Sequence, residues 1–201
     1  KDGLRVDSRA AEPVMFPDTS LISRHFEWEG GTEDPRVVEA EVDGRPLYVM
    51  TYTAWNRYKF RLSIATSRDL HHWTHHGPAF RLPLNGLFSD LACKSGSIVT
   101  EVRDGRLQAA KVKINGEEKY LMYWGEEWVC AATSDDLVNW TVITEPDGTL
   151  KYLARPRKGY FDSRLTECGP PAVKTADGII LLYNGKNRDG KDGDENYPSG
   201  T

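Results

Sequence analysis

The sequence predicts an all-β protein built from repeated antiparallel units, the pattern of a β-propeller. Three observations carry this. The chain repeats itself: Ala65 to Trp73 reads ATSRDLHHW and Ala132 to Trp140 reads ATSDDLVNW, identical at six of nine positions and 67 residues apart. Asn-Gly and Asp-Gly pairs fall between apolar stretches, a strong hairpin signal. No segment shows a long helical period.

Each copy has the same order. A turn comes first: DGR at Asp43, NGE at Asn115, ADG at Ala176. An alternating apolar strand follows: PLYVMTYTAW (46–55), KYLMYWGEEW (119–128) and, in a partial third copy, DGIILLYNGKN (177–187). FRLSIATS or WVCAATS then gives the next strand. A Ser-x-Asp-Leu turn leads to another strand entered at Trp73 or Trp140. In that turn Ser67, Ser134, Asp69 and Asp136 suit side-chain bonds to backbone amides, and one helical turn is expected over 69–72 and 136–139. Each Trp ring buries on the order of 150–250 Å², so both are expected between neighbouring units.

About three units cannot close a ring, since at least four blades are typical. The chain is therefore expected to be part of a longer protein, read here as one incomplete domain over 1–201. It starts at Lys1 rather than Met, so an upstream segment, an export signal included, could have been removed.

Bulk properties narrow the function. Apolar residues are 39% and charged residues 28%, with a net charge of −4; without a basic stripe, nucleic acid is not an expected partner. No apolar run is long enough to span a bilayer. Cys93, Cys130 and Cys168 are odd in number and widely spaced, so buried thiols are expected rather than disulfides or zinc. His71, His72, His75 and His76 are expected at the surface. No metal or cofactor is expected. Six Trp and nine Tyr suit a core and equally suit stacking on sugars.

Three acidic positions stand at ends of inner strands. Asp34 precedes Pro35, which restricts it to extended geometry. Glu126 and Glu127 follow Gly125, and strand alternation would let at most one face a cavity. Asp162 and Glu167 lie in FDSRLTECGPP, where Glu167 abuts a Gly-Pro-Pro break. Asp34 could simply cap a turn, and Glu126 could belong to a solvated acidic loop. Converging on one cavity, these carboxylates would suit glycoside hydrolysis, which needs a proton donor and a carboxylate acting on water or on carbon. Tyr52, Trp55, Trp124 and Trp128 could stack on sugars, and Arg57, Arg61 and Lys94 could bond hydroxyls.

Taken together, EDPRVV, TYTAWN, RLSIATSRDLHHW, KYLMYWGE, ATSDDLVNW, KGYFDSRLTECGPP and LLYNGKN resemble glycoside hydrolase family 130. The similarity runs from about Pro13 onward. It implies a five-bladed propeller, of which this chain covers about the first three blades, and a mannose-containing oligosaccharide as substrate. Asn56 and Asn184, inside two of those motifs, join the expected substrate contacts with Asp162. The resemblance implies a proton-donor role for Asp34, the Asp of the Asp-Pro-Arg motif. In phosphorylases of the family that proton is thought to pass through a mannose hydroxyl.

The family contains phosphorylases and hydrolases. Phosphorylases tend to carry Arg-Pro where this chain has Gly125-Glu126. They tend to carry Gly-Ala-Gly-Pro-Pro where it has Glu167-Cys168-Gly169-Pro170-Pro171. Carboxylates there repel a phosphate dianion, by about 4 kcal/mol per charge pair at 4 Å and an effective dielectric near 20. The expectation is an inverting β-mannosidase acting on β-1,2 linkages, with Glu126 and Glu167 activating water. A β-mannoside phosphorylase and a non-catalytic sugar-binding propeller are the alternatives; Lys94, near an expected phosphate position, speaks for the first of these. The resemblance implies a bacterial source, with export and cytoplasm both open, and leaves room for a homo-oligomer.

Overall fold

The computed structural model describes residues 4–197. Residues 1–3 and 198–201 lie outside them. The described chain is all-β apart from a short helix and two 3-10 turns.

The first unit is a meander. Strands β1 (Gly31–Val42), β2 (Arg45–Trp55), β3 (Phe60–Ser67) and β4 (Trp73–Pro78) pair antiparallel in chain order. Asp43 and Gly44 join β1 to β2 with φ of 55° and 68°, the two positive values of a type I′ turn. The same device recurs where β8 (Lys111–Ile114) meets β9 (Glu117–Trp124) at Asn115-Gly116. It recurs again where β6 (Thr100–Arg103) meets β7 (Arg106–Ala109) at Asp104-Gly105.

In the second unit β9 pairs with β10 (Cys130–Ser134), β8 and the short β5 (Ser97–Ile98), and β10 pairs with β11 (Thr141–Val142). The third is sparser: β12 (Leu165–Cys168) pairs with β15 (Tyr183–Lys186), and β13 (Val173–Lys174) with β14 (Ile179–Ile180). Single parallel pairs stitch the units together, Glu39 with Gln108 and Val173 with Thr100. Arg106 reinforces the first joint by binding Glu39 at 3.0 Å.

The two Ser-x-Asp-Leu turns have one geometry. Ser67 Oγ accepts from the amides of Asp69 and Leu70, and Asp69 from those of His71 and His72. Ser134 and Asp136 repeat this. The helical turn expected here does not form, because Leu70 and Leu137 take φ of 65° and 66°, outside the right-handed helical region. Trp140 is fully buried in the core shared by the first two units. Its burial is worth about 4–6 kcal/mol before entropy is counted. Trp73 is only half-buried, against Met50, Tyr52 and Ala65.

The alternation expected in β2 is overridden. Residues 49–54 are buried without a break. One face puts Val49 into the core that also holds Leu62, Ile98 and Met122. The other packs Met50, Tyr52 and Ala54 under Phe26 of α1 (Leu21–Phe26). Just beyond α1, Glu27 is wholly buried and binds Ser23 at 2.5 Å, the Tyr52 hydroxyl at 2.6 Å and His75 Nδ1 at 2.8 Å. His75 is therefore not a surface residue: its side chain is 5% exposed. His76 is half-buried against Thr66, while His71 and His72 are exposed as expected. The three cysteines are buried free thiols.

Candidate active site

The site begins with a defect in β1. Between Glu33 and Arg36 the chain advances three residues while β2 advances two, from Thr53 to Thr51. This is a β-bulge, a device that re-aims side chains. Asp34 sits in it at φ 50°. The extended geometry expected before Pro35 does not hold; the bulge, rather than proline alone, sets its direction. Thr53 Oγ1 donates to Asp34 Oδ2 at 3.3 Å.

Arg36, next along, fastens the third unit to the first. Its guanidinium donates to the carbonyls of Gly169 at 2.7 Å, Cys168 at 3.0 Å and Asp34 at 3.2 Å. Glu167, in β12, is thereby held with Oε1 4.0 Å from Arg36 Nη2. Ser95 Oγ donates to the same oxygen at 2.5 Å.

Lys94 lies at the centre. Its Nζ is 3.4 Å from Glu126 Oε1 and 3.9 Å from Glu167 Oε1. Backbone bonds fix the loop that carries Glu126. The Gly125 amide donates to the Lys94 carbonyl at 3.0 Å, the Cys168 amide to the Gly125 carbonyl at 3.3 Å, and Thr166 Oγ1 to the Glu127 carbonyl at 2.9 Å. Gly125 takes φ 122°, and a Cβ there would collide with the Trp128 carbonyl.

A cavity of about 200 Å³ is lined by Glu33, Asp34, Thr53, Trp55, Phe60, Lys94 and Glu126. The structure thus brings Asp34, Glu126, Lys94 and Trp55 together, with Glu167 joined to them through Lys94. Asn184 is exposed and lies directly across β12–β15 from Glu167, a placement that sets the two side chains on one face. Glu127 does not follow strand alternation, because β9 ends at Trp124 and Glu127 takes φ 73°. It lines the neighbouring cavity with Glu126 but not the Asp34 cavity.

Other expected contacts stand elsewhere. Tyr52 is 1% exposed and committed to Glu27, so its ring is core. Arg61 is buried beneath Phe26 and binds Asp90 at 2.6 Å. Asn56 organises the β2–β3 turn through the amides of Tyr58 and Lys59, and Arg57 donates to the Glu29 carbonyl. Asp162 is 2% exposed, held by Arg157 at 3.0 Å and the Tyr183 hydroxyl at 2.9 Å. Trp124 is buried against Phe80, with an edge on the neighbouring cavity.

Arg36, Ser95, Thr53 and Phe60 join the cluster without having been singled out from the sequence. Arg36 had a signal, since it is the Arg of Asp-Pro-Arg. The other three had none.

Residues 1–196 match the profile of glycoside hydrolase family 130, described as β-1,4-mannooligosaccharide phosphorylase. A 1,2-β-oligomannan phosphorylase of Thermoanaerobacter sp. (strain X514) is 31% identical over 190 residues, covering 92% of this chain and 50% of that protein. A glycosyl hydrolase structure from Bacteroides ovatus is 57% identical with a TM-score of 0.84, over 93% of this chain and 50% of the other. A second solved structure is reported with glycoside hydrolases of the family that target β-1,2 mannosidic linkages in Candida mannan. It is 56% identical with a TM-score of 0.84, again over 93% and 50%. The chain spans about half the length of these relatives. It belongs to glycoside hydrolase family 130.

Proposed function

We propose that this chain is part of a five-bladed β-propeller enzyme, one catalytic domain, that hydrolyses β-1,2-mannosidic linkages with inversion. The observation that carries the reading is the pair of carboxylates on Lys94. Glu126 and Glu167 both contact its ammonium, so the cation that could hold a phosphate is already met by two negative charges. Arg36 is occupied by backbone carbonyls. A phosphate dianion entering here meets repulsion from both carboxylates, about 4 kcal/mol for each pair of unit charges at 4 Å and an effective dielectric near 20. Water meets none.

In this reading Asp34 donates a proton to the leaving oxygen, directly or through a sugar hydroxyl. The Glu126–Glu167 pair holds a water and takes its proton as the oxygen attacks the anomeric carbon from the opposite face. Trp55 offers a ring to the sugar, and Lys94 and Asn184 offer donors to hydroxyls. Likeness to the two hydrolase structures supports this choice.

The alternative is a β-mannoside phosphorylase, favoured by the presence of Lys94 and by the name of the curated relative. Proton NMR of β-1,2-mannobiose turnover tests the proposal. Inversion with water releases α-mannose first. Initial β-mannose would contradict inversion, and mannose 1-phosphate would contradict hydrolysis.

A further inference from the structure

Three cavities adjoin one another, starting at the catalytic cluster. The Asp34 cavity and a second of about 290 Å³ share Phe60 and Glu126. The second and a third of about 480 Å³ share Glu127 and Trp128. Wall chemistry changes along this line. The second cavity is aromatic, with Trp124, Trp128 and Tyr152; the last two rings meet edge to face at 4.8 Å. That is a surface for the apolar face of a sugar.

The third cavity is cationic. Arg155, Lys158, Arg164 and Arg188 line it against two carboxylates, Glu127 and Asp192. Lys158 is neutralised by Asp192 at 2.8 Å. Among the described residues, none of the three arginines has a carboxylate within 4.0 Å. Arg155 stacks on Tyr152, 4.4 Å from the ring centroid, which fixes its guanidinium at the junction of the aromatic and cationic cavities. The whole chain is acidic, with a net charge of −4, so a cavity lined by four cations and two carboxylates runs against its average. Guanidinium forks match the planar or tetrahedral oxygens of carboxylate and phosphate.

We infer that the third cavity is a subsite for an oxyanion carried on the glycan, a phosphate ester or a uronate carboxylate, beyond the sugar that adjoins the cleaved bond. The inference rests on the catalytic reading of the Asp34 cavity for its direction, since that fixes which end of the track is reactive. It narrows the substrate class from neutral mannosides to glycans with an acidic substituent at a set distance.

The test is calorimetric binding to the full chain at low ionic strength, with mannose, mannose 6-phosphate, mannuronate and inorganic phosphate as probes. At least one sugar acid is expected to bind tenfold or more tighter than both mannose and inorganic phosphate. That advantage should fall at least fivefold in Arg164→Gln/Arg188→Gln, and again in Arg155→Gln, and should shrink in 0.5 M salt. Both arginines of the double variant are exposed, so folding is not at stake. Equal binding of mannose and both acids would overturn the inference. So would inorganic phosphate binding as tightly as the sugar acids, which marks a free-anion site. An advantage that survives in both variants would place the anion elsewhere and overturn it too. Turnover of neutral β-1,2-mannobiose is measured separately; its failure would remove the proposed function and leave the binding result to stand by itself.

Discussion

Lys94 places its ammonium 3.4 Å from the Glu126 carboxylate, on a loop that its own backbone carbonyl helps to hold through the Gly125 amide. The cation and the carboxylate are thus one structural piece, and Glu167 reaches the same ammonium from another unit at 3.9 Å. If this pair activates water, Glu126→Gln and Glu167→Gln should each lower kcat more than tenfold, since groups of this kind contribute about 10²–10⁴-fold. Both side chains are partly exposed, so melting temperatures should stay within about 4 °C of wild type, equivalent to about 1 kcal/mol at this size. Full activity in both variants would remove the water-activation role.

Asp34 allows a clean substitution. Asparagine tolerates positive φ better than most residues, so Asp34→Asn keeps the bulge at φ 50° and removes only the acid. kcat on an unactivated mannoside should fall at least 10²-fold. A substrate with a good leaving group, which needs less protonation, should lose much less. Equal loss on both would mean that Asp34 only binds.

Gly125 holds the site by lacking a side chain. With φ 122° and the Trp128 carbonyl against any Cβ, Gly125→Ala must move the Glu126 loop. Activity should fall more than tenfold, with KM rising as well, because Glu126 and Trp128 flank the shifted segment. Unchanged kinetics would show that the loop position is immaterial.

The buried Glu27 cluster makes a prediction about stability instead of activity. Tyr52→Phe leaves Glu27 one donor short and should cost about 1–3 kcal/mol in denaturant unfolding, with KM within twofold. A large KM change would return Tyr52 to the sugar site. His75 adds a pH dependence. Burial pushes its imidazole pKa down, but the hydrogen bond and charge of Glu27 push it up, and the net shift is upward. The folded state therefore favours the protonated ring. That stabilisation is complete below about pH 6.5, the unfolded value, and is lost as pH rises through the raised folded pKa. The stability advantage of wild type over His75→Gln should be largest in mild acid and shrink with rising pH; a flat difference would contradict it.

Local chemistry was legible in the sequence, and tertiary partners were not. Asp43-Gly44 and Asn115-Gly116 announce hairpins because positive φ at both turn positions suits few other residues. Ser67 and Asp69 satisfy amides two and three residues away, so their role is written locally. Tyr52, Arg61 and His75 read as sugar contacts or surface because what buries them, α1 and Glu27, comes from outside the repeat. The bulge at Asp34 was hidden, since a register shift depends on the partner strand. The convergence of Asp34, Glu126 and Glu167 was legible as a pattern of strand ends; Arg36 was visible only as the Arg of Asp-Pro-Arg, and its partners, which tie the Asp34 bulge to the Glu167 strand across 132 or more residues of chain, were not.

The most direct test is the phosphate dependence of β-1,2-mannobiose cleavage. The protein is incubated in phosphate-free buffer and again with inorganic phosphate added, and products are resolved by ion-exchange chromatography. The carboxylate pair on Lys94 predicts free mannose as the sole product at the same rate in both. Mannose 1-phosphate, formed only when phosphate is present, would contradict it.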